Sequence, residues 1–464
     1  MEELADHLDI FGQQEGLYKL YTQLCLCFRM SDGSSQSDII GTLTQGLERL
    51  AASFPWVAGQ VLREDAGDGT RNLYKIKPFE KTPRLVVKDF RDGSSTLSMD
   101  VLRQANFPFS MLDESIIAPV NTLAAGTDGP APVFLVQANF VTGGLLLTFV
   151  TQHNTMDMTG MARIMYLLSK ACRNEPFTAE EISTGNLDRR DLIPLLDESY
   201  RPGPELSYQI EKPPAHQDAS NAADGESEQS QPQSPKCSWA YFIFSAASLK
   251  SLKSLAMQSL TGNIAYVSTD DVLSAFIWVS VTRARRPRLD STREVTFARA
   301  IDPRRYLGIP ATYPGLVQNM TYTTCPLEGL LDAHLGSIAS KLREAVDPST
   351  SNLAYATRAL ATWLHRAPPE DNNKVNVTAT LDLSADIMLS SWSKYDYCYD
   401  LDFGLGLGKP EAVRRPQFVP VESLFYLMPK RQDGEIAAAL CLREEDLDRL
   451  RKDEEFMKYA VYVG

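Results

Sequence analysis

The segment from Glu211 to Lys236 (EKPPAHQDASNAADGESEQSQPQSPK) is rich in Pro, Ser, Gln, Asp and Glu and contains almost no large apolar residue. Such a run cannot bury enough surface to offset the entropy of ordering it. It reads as a flexible crossover linker. The 464 residues, too many for one ordinary core, then divide into an N-terminal half, 1–210, and a C-terminal half, 237–464. Each half has the usual size of a domain.

Both halves mix helix and strand periods. In the first, Ile39, Ile40, Leu43, Leu47, Leu50 and Ala51 predict a helix over 37–53, led in by Ser31–Ser35 with cap-type residues. Pro55–Val61 reads as a turn into a strand. Val133–Val141 and Leu145–Val150 form a hairpin candidate around Thr142-Gly143-Gly144. An amphipathic helix is expected over Gly160–Arg173. In the second half, Trp239–Phe244 reads as a strand and Ser248–Met257 as a helix. Ser268-Thr269-Asp270-Asp271 is a helix-start signal before Val272–Arg283. Strands are expected at 295–301, 374–381, 425–429 and 435–442, and a helix from Glu328 to Ala345. Mixed elements in both halves predict an α/β fold of mixed α+β layers.

Composition excludes several functions. A net charge of −13 does not suit a phosphate backbone, so nucleic-acid binding is not expected. The acidic start Met1–Asp6 leads into no apolar core, so no signal peptide is expected. No run of about 18 apolar residues suggests a membrane span. The seven cysteines are scattered, with no C-x-x-C pair. They read as reduced cytosolic thiols, and no metal site is expected.

Chemistry concentrates at His153-Asn154-Thr155-Met156-Asp157, after the apolar run Leu145–Val150 and before a helix. Histidine titrates near neutral pH, and a strand end holds its backbone still while the ring reaches a cleft. His153 and Asp157 could act together, His153 could be the base with Asp157 orienting the loop, or both could be structural. The short loop lets Asp157 turn away from the imidazole, which favours the second reading over the first. No G-x-S-x-G elbow supplies a serine nucleophile, and no cysteine has a supporting signature. The base would then activate a hydroxyl or amine of the substrate, or a water. A second constellation, Asp402-Phe403-Gly404-Leu405-Gly406-Leu407-Gly408-Lys409-Pro410, alternates glycine with apolar residues. It is no phosphate loop, because Pro follows Lys409. It reads either as a functional loop or as a tightly packed turn.

Together, His153–Asp157 and Asp402–Gly406 resemble the paired signatures of the BAHD acyltransferases, coenzyme A-dependent enzymes that acylate alcohols and amines of secondary metabolites. Tyr313–Asn319, Ser390-Ser391-Trp392 and Ser268–Trp278 extend the resemblance over nearly the whole chain. Val267–Trp278, Asp402–Glu411 and Val413-Arg414-Arg415-Pro416 are similar to the family's fungal trichothecene 3-O-acetyltransferase group. Met158 stands where plant members have Gly, and Leu405 where they have Trp. Both departures look shared with the fungal group.

The resemblance implies two similar-sized domains of chloramphenicol-acetyltransferase type with a channel between them. It implies acetyl-CoA as co-substrate, a small-molecule alcohol as acceptor (the C3 hydroxyl of a trichothecene in particular) and a cytoplasmic monomer. His153 would be the base, and Asp157 would pair with Arg304 and orient the loop. Ser390, Ser391 or the Trp392 indole would serve the oxyanion. Lys253 first, then Lys250, Arg414 and Arg415, would meet the cofactor phosphates. Asp402, with Gly404 and Gly406, would hold the two domains in register. Beside this one stand an O-acyltransferase for another fungal metabolite and two further alternatives. One is a condensation-type enzyme fed by a carrier protein; the other is a non-catalytic binding protein on the same fold.

Overall fold

The computed structural model describes residues 6–31, 33–65, 72–91, 97–126, 129–210, 235–368 and 374–464. Most of the linker segment expected at 211–236 lies outside these residues.

The described residues form two main sheets. The first has five strands in the order Ala412–Arg414, Tyr21–Arg29, Gly144–Gln152, Phe134–Val141 and Arg84–Asp89. Its central strand, GLLLTFVTQ, is buried along its whole length, so both faces are covered and the sequence reads as a continuous apolar run rather than an alternation. Helices Gln36–Ser53 and Met158–Cys172 pack against each other beside this sheet. Ser35 caps the first by accepting from Asp38 N.

The second sheet has seven strands, in the order 319–326, 294–301, 387–391, 424–427, 436–443, 237–244 and 460–462. Its two faces serve different cores, as the period of two requires. Trp239 and Tyr241 turn into the core shared with the first half. Ala240, Phe242 and Phe244 turn into a second core with helix Thr269–Arg285. That helix starts on a capping box between Ser268 and Asp271.

One strand crosses between halves. Ala412–Arg414 belongs to the second half of the chain but pairs antiparallel with Cys25–Cys27. Two sequence expectations fail. The strand expected at 374–381 is only a bridge between Val375 and Ile210, followed by turns. There the Asn376 side chain accepts from Thr378 N and Oγ1, both at 2.9 Å, and bends the chain out of extension. The helix expected over 328–345 is two helices, Leu327–Asp332 and Leu335–Glu344, broken at extended Ala333 and His334. The second helix begins where Gly336 is pressed against Ala256 O, which a Cβ would approach to 2.0 Å. That contact between distant segments has no local signature. The strands Tyr21–Arg29 and Asn319–Pro326 and the helix Leu353–Arg366 were not expected from the sequence.

Candidate active site

His153 follows the central strand of the five-stranded sheet. Its backbone N–H donates to Leu20 O at 2.7 Å, and Thr155 turns the chain with bonds from its N–H and hydroxyl to Gln152 O. Asp157 is the N-cap of helix Met158–Cys172, accepting from Gly160 N at 3.0 Å. Gly160 is required here. A Cβ would stand 2.0 Å from Pro314 O, so only glycine lets the helix start meet the 313–317 loop.

The His153 Nδ1 lies 3.2 Å from Met156 O. A carbonyl only accepts, so Nδ1 carries the proton and Nε2 keeps its lone pair. Burial lowers the imidazole's pKa below its ordinary 6.5; the Met156 carbonyl and the Asp157 charge partly offset this, and the Arg415 charge adds to it. The ring is neutral at neutral pH, the state a base needs.

Asp157 faces away from that ring. It is bound bidentately by Arg304, at 2.8 Å to Nη1 and 3.1 Å to Nη2, and accepts from Val317 N at 3.0 Å. Arg304 also meets Asp302 at 2.9 Å and the carbonyls of Tyr313, Gly315 and Val317. Burial opposes its charge, but the two carboxylates overcome this and hold it above its ordinary range. Asp302 is opposed by burial too, yet Arg304 and Lys394 pull it down to about 2. The motif carboxylate is therefore a strut between the halves.

Strand Ile387–Ser391 brings Ser390 and Trp392 to the same place. The indole Nε1 donates to Ser390 Oγ at 3.0 Å, which leaves the hydroxyl proton of Ser390 free to donate elsewhere. Ser391 is committed to the Asp270 carboxylate and shares a bond with Ser393. Of the three oxyanion candidates, Ser390 alone combines a free proton with a place between the cavities.

Two cavities meet at a wall of Met158, Ala300, Gln318, Ser390 and Trp392. One, of about 290 Å³, is lined by His153 and is mainly apolar, with Phe11, Leu20, Leu316 and Leu360 among its walls. The other, of about 460 Å³, is charged: Arg299 and Arg343 pair with Asp271, Lys394 pairs with Asp302, and Arg305 and Asp270 also line it. Arg305 and Lys394 are exposed at it.

The cations expected for cofactor phosphates are not gathered there. Lys250 and Lys253, on helix Ala246–Ala256, line neither cavity. Arg414, the last residue of strand Ala412–Arg414, is buried and donates to the carbonyls of Val413 and Asn106 in a separate cleft. Arg415 lines the apolar cavity instead. It is 2% exposed, and the rings of Phe418, Tyr426 and Trp392 lie 4.3, 4.8 and 5.7 Å from it. A cation enclosed by aromatic faces suits that wall. Arg305, Arg343 and Lys394, which line the charged cavity, are scattered in sequence and carry no local pattern.

The glycine-rich loop lies outside both cavities. Asp402 accepts from Gly404 N at 2.8 Å, and Arg173, just past the helix that Asp157 caps, donates to Asp402 O. Phe403 is buried against Phe149 and Phe28 of the first sheet. Gly404, Gly406 and Gly408 have φ of +67°, +71° and +70°, a conformation open to glycine at little cost. Among the described residues no cluster of His, Cys, Asp and Glu could hold a metal ion, and no helix is long and apolar enough to cross a membrane.

Comparison with known proteins agrees with this architecture. The trichothecene 3-O-acetyltransferase-like N-terminal domain matches residues 20–172, and the Transferase family matches 109–457. The O-acetyltransferase dmxR13 of Cryptosporiopsis sp. is 54% identical, covering 100% of this chain and 98% of its own. Trichothecene 3-O-acetyltransferase TRI101 of Fusarium sporotrichioides is 49% identical over 98% of this chain and 97% of its own. The crystal structure of F. sporotrichioides TRI101 complexed with coenzyme A and T-2 matches with a TM-score of 0.90 and 48% identity, covering 99% of this chain and 100% of that one. The chain thus belongs to the Transferase family, the BAHD acyltransferases.

Proposed function

We propose that this protein transfers an acetyl group from acetyl-CoA to a hydroxyl of a fungal secondary metabolite, the C3 hydroxyl of a trichothecene being the first candidate, and that it does so as a cytoplasmic monomer. The observation that carries the reading is the His153 ring. Its Nδ1 is fixed on Met156 O, its pKa is lowered by burial, and it lines an apolar cavity next to a charged one.

The charged cavity suits the phosphorylated donor, with the exposed Arg305 and Lys394 as phosphate partners. The apolar cavity suits a polycyclic alcohol. His153 Nε2 takes the proton from the acceptor hydroxyl as its oxygen attacks the thioester carbonyl, and returns it to the departing thiolate. The Ser390 hydroxyl, polarised by the Trp392 indole, donates to the oxygen on which negative charge develops. Asp157 and Arg304 hold the loop and move no proton.

An acceptor panel that includes a trichothecene alcohol, read by product mass with acetyl-CoA as donor, tests this. Acetylation that is lost in His153→Ala supports it, and turnover only with a carrier-bound acyl group overturns it. A second acceptor class is favoured by one observation. The dmxR13 relative, whose name carries no trichothecene, shares more identity than TRI101 does. Product on another fungal alcohol but none on the trichothecene would select that reading.

A further inference from the structure

The His153 turn is gripped from a second side. Arg189 Nη1 donates to Thr155 O at 2.7 Å and meets Asp9 Oδ2 at 3.2 Å. The pair is buried, at 6% and 1% exposure. The guanidinium lies over the Trp56 ring at 4.4 Å, and that indole is itself fixed on Gly185 O at 2.9 Å. Asp9 also accepts from Tyr313 OH at 2.5 Å and Leu316 N at 3.0 Å. The next amide, Val317 N, goes to Asp157. Two buried carboxylates, one on each flank of the His153 turn, therefore hold successive amides of one loop from the other half of the chain. The segment bearing Asp9 also presses on the turn directly, because a Cβ on Gly12 would stand 2.2 Å from Asn154 O.

Thr155 O immediately precedes Met156, whose carbonyl fixes the His153 Nδ1 proton. Any rotation at Thr155 moves that anchor. We propose that Asp9 and Arg189 form a positioning pair that sets the tautomer and aim of His153, alongside Asp157 and Arg304 on the shared 313–317 loop. The proposal rests on His153 being the base. Angular errors of this kind cost rate rather than substrate affinity.

The test uses Arg189→Met, Arg189→Lys and Asp9→Asn in the full chain, beside His153→Ala. Arg189→Met and Asp9→Asn are expected to lower kcat about 10- to 100-fold, with KM for acetyl-CoA and acceptor nearly unchanged. Arg189→Lys, which keeps a donor and a charge, is expected to recover part of the rate at a Tm close to that of Arg189→Met. If Arg189→Met does not fold, Asp9→Asn and Arg189→Lys carry the test. A wild-type kcat per folded molecule in these variants, with only Tm lowered, overturns the proposal. An active His153→Ala protein overturns the base assignment itself, a result distinct from the first.

Discussion

The turn at His153–Asp157 and the loop at Asp402–Gly408 lie at opposite ends of one helix, Met158–Cys172, yet they are held by different physics. At the N-terminal end, Asp157 caps the helix and is locked by Arg304, and Asp9 and Arg189 hold Thr155. At the C-terminal end, Arg173 meets the Asp402 carbonyl, and the loop keeps its path through three glycines at positive φ. Phe403 fills the space between Phe149 and Phe28. The first region is specified by buried charge, which is costly to break on either side. The second is specified by backbone freedom and one aromatic anchor, which tolerate more. The proposed base must be aimed; the 402–408 loop needs only to follow its path.

The sharpest way to separate the two is His153→Ala. Turnover should fall by about 10²- to 10⁴-fold, the usual contribution of a general base, while the thermal midpoint stays close to wild type. Steady-state rates and Tm on the same preparation check both halves of that statement.

Arg304→Met should instead collapse the N-terminal strut. It leaves Asp157 and Asp302 buried without their cation, which is expected to cost about 3–5 kcal/mol in denaturant unfolding. A loss under about 1 kcal/mol would mean that water replaces the guanidinium and that buried charge does not specify this region.

At the other end the effects are smaller. Gly404→Ala would place a Cβ 3.2 Å from Arg173 Cγ at φ +67°, whereas Gly406→Ala meets open space at φ +71°. Each should cost about 1 kcal/mol from the backbone alone, with Gly404→Ala the worse and kcat per folded molecule unchanged in both. Asp402→Ala should likewise leave KM for acetyl-CoA unchanged, since Asp402 lies in neither cavity.

The smallest effect is the pH dependence. Because the folded His153 pKa lies below 6.5, the ring stays neutral to lower pH than a free imidazole. The acid limb of kcat/KM should therefore fall below pH 6.5. The stability sign agrees: as pH falls below 6.5 the unfolded chain takes up the proton first, so this group destabilises the fold toward its lower folded pKa and has no such effect above 6.5. A limb above 6.5 would assign the titration to another group.

Much of this site was legible as pattern. Strand 144–152 announced itself by continuous apolar residues, helix 158–172 by its stripe, and His153 by standing between them. The resemblance paired Asp157 with Arg304, and the two side chains stand 2.8 Å apart. Other features had no local trace. Ser390 and Ser391 are neighbours of one type, and only their partners, Trp392 and Asp270, separate their roles. Arg414 and Arg415 are adjacent cations on one short stretch, yet one lies in a separate cleft and the other lines the apolar cavity. The strand expected at 374–381 was lost to the Asn376 turn, and the helix expected at 328–345 was split beside Gly336.

By itself, then, the sequence determined the α/β fold class, the element that carries His153 and the family to which the chain belongs. Those rest on periodicity, on composition and on short motifs, all of which act within a few neighbouring residues. Only the tertiary structure decided which charges line which cavity, which serine keeps a free proton, and that Asp9 and Asp157 hold successive amides of one loop. These depend on contacts between residues 121 to 307 positions apart, where burial turns an ordinary carboxylate or guanidinium into a strut. No local pattern encodes that burial.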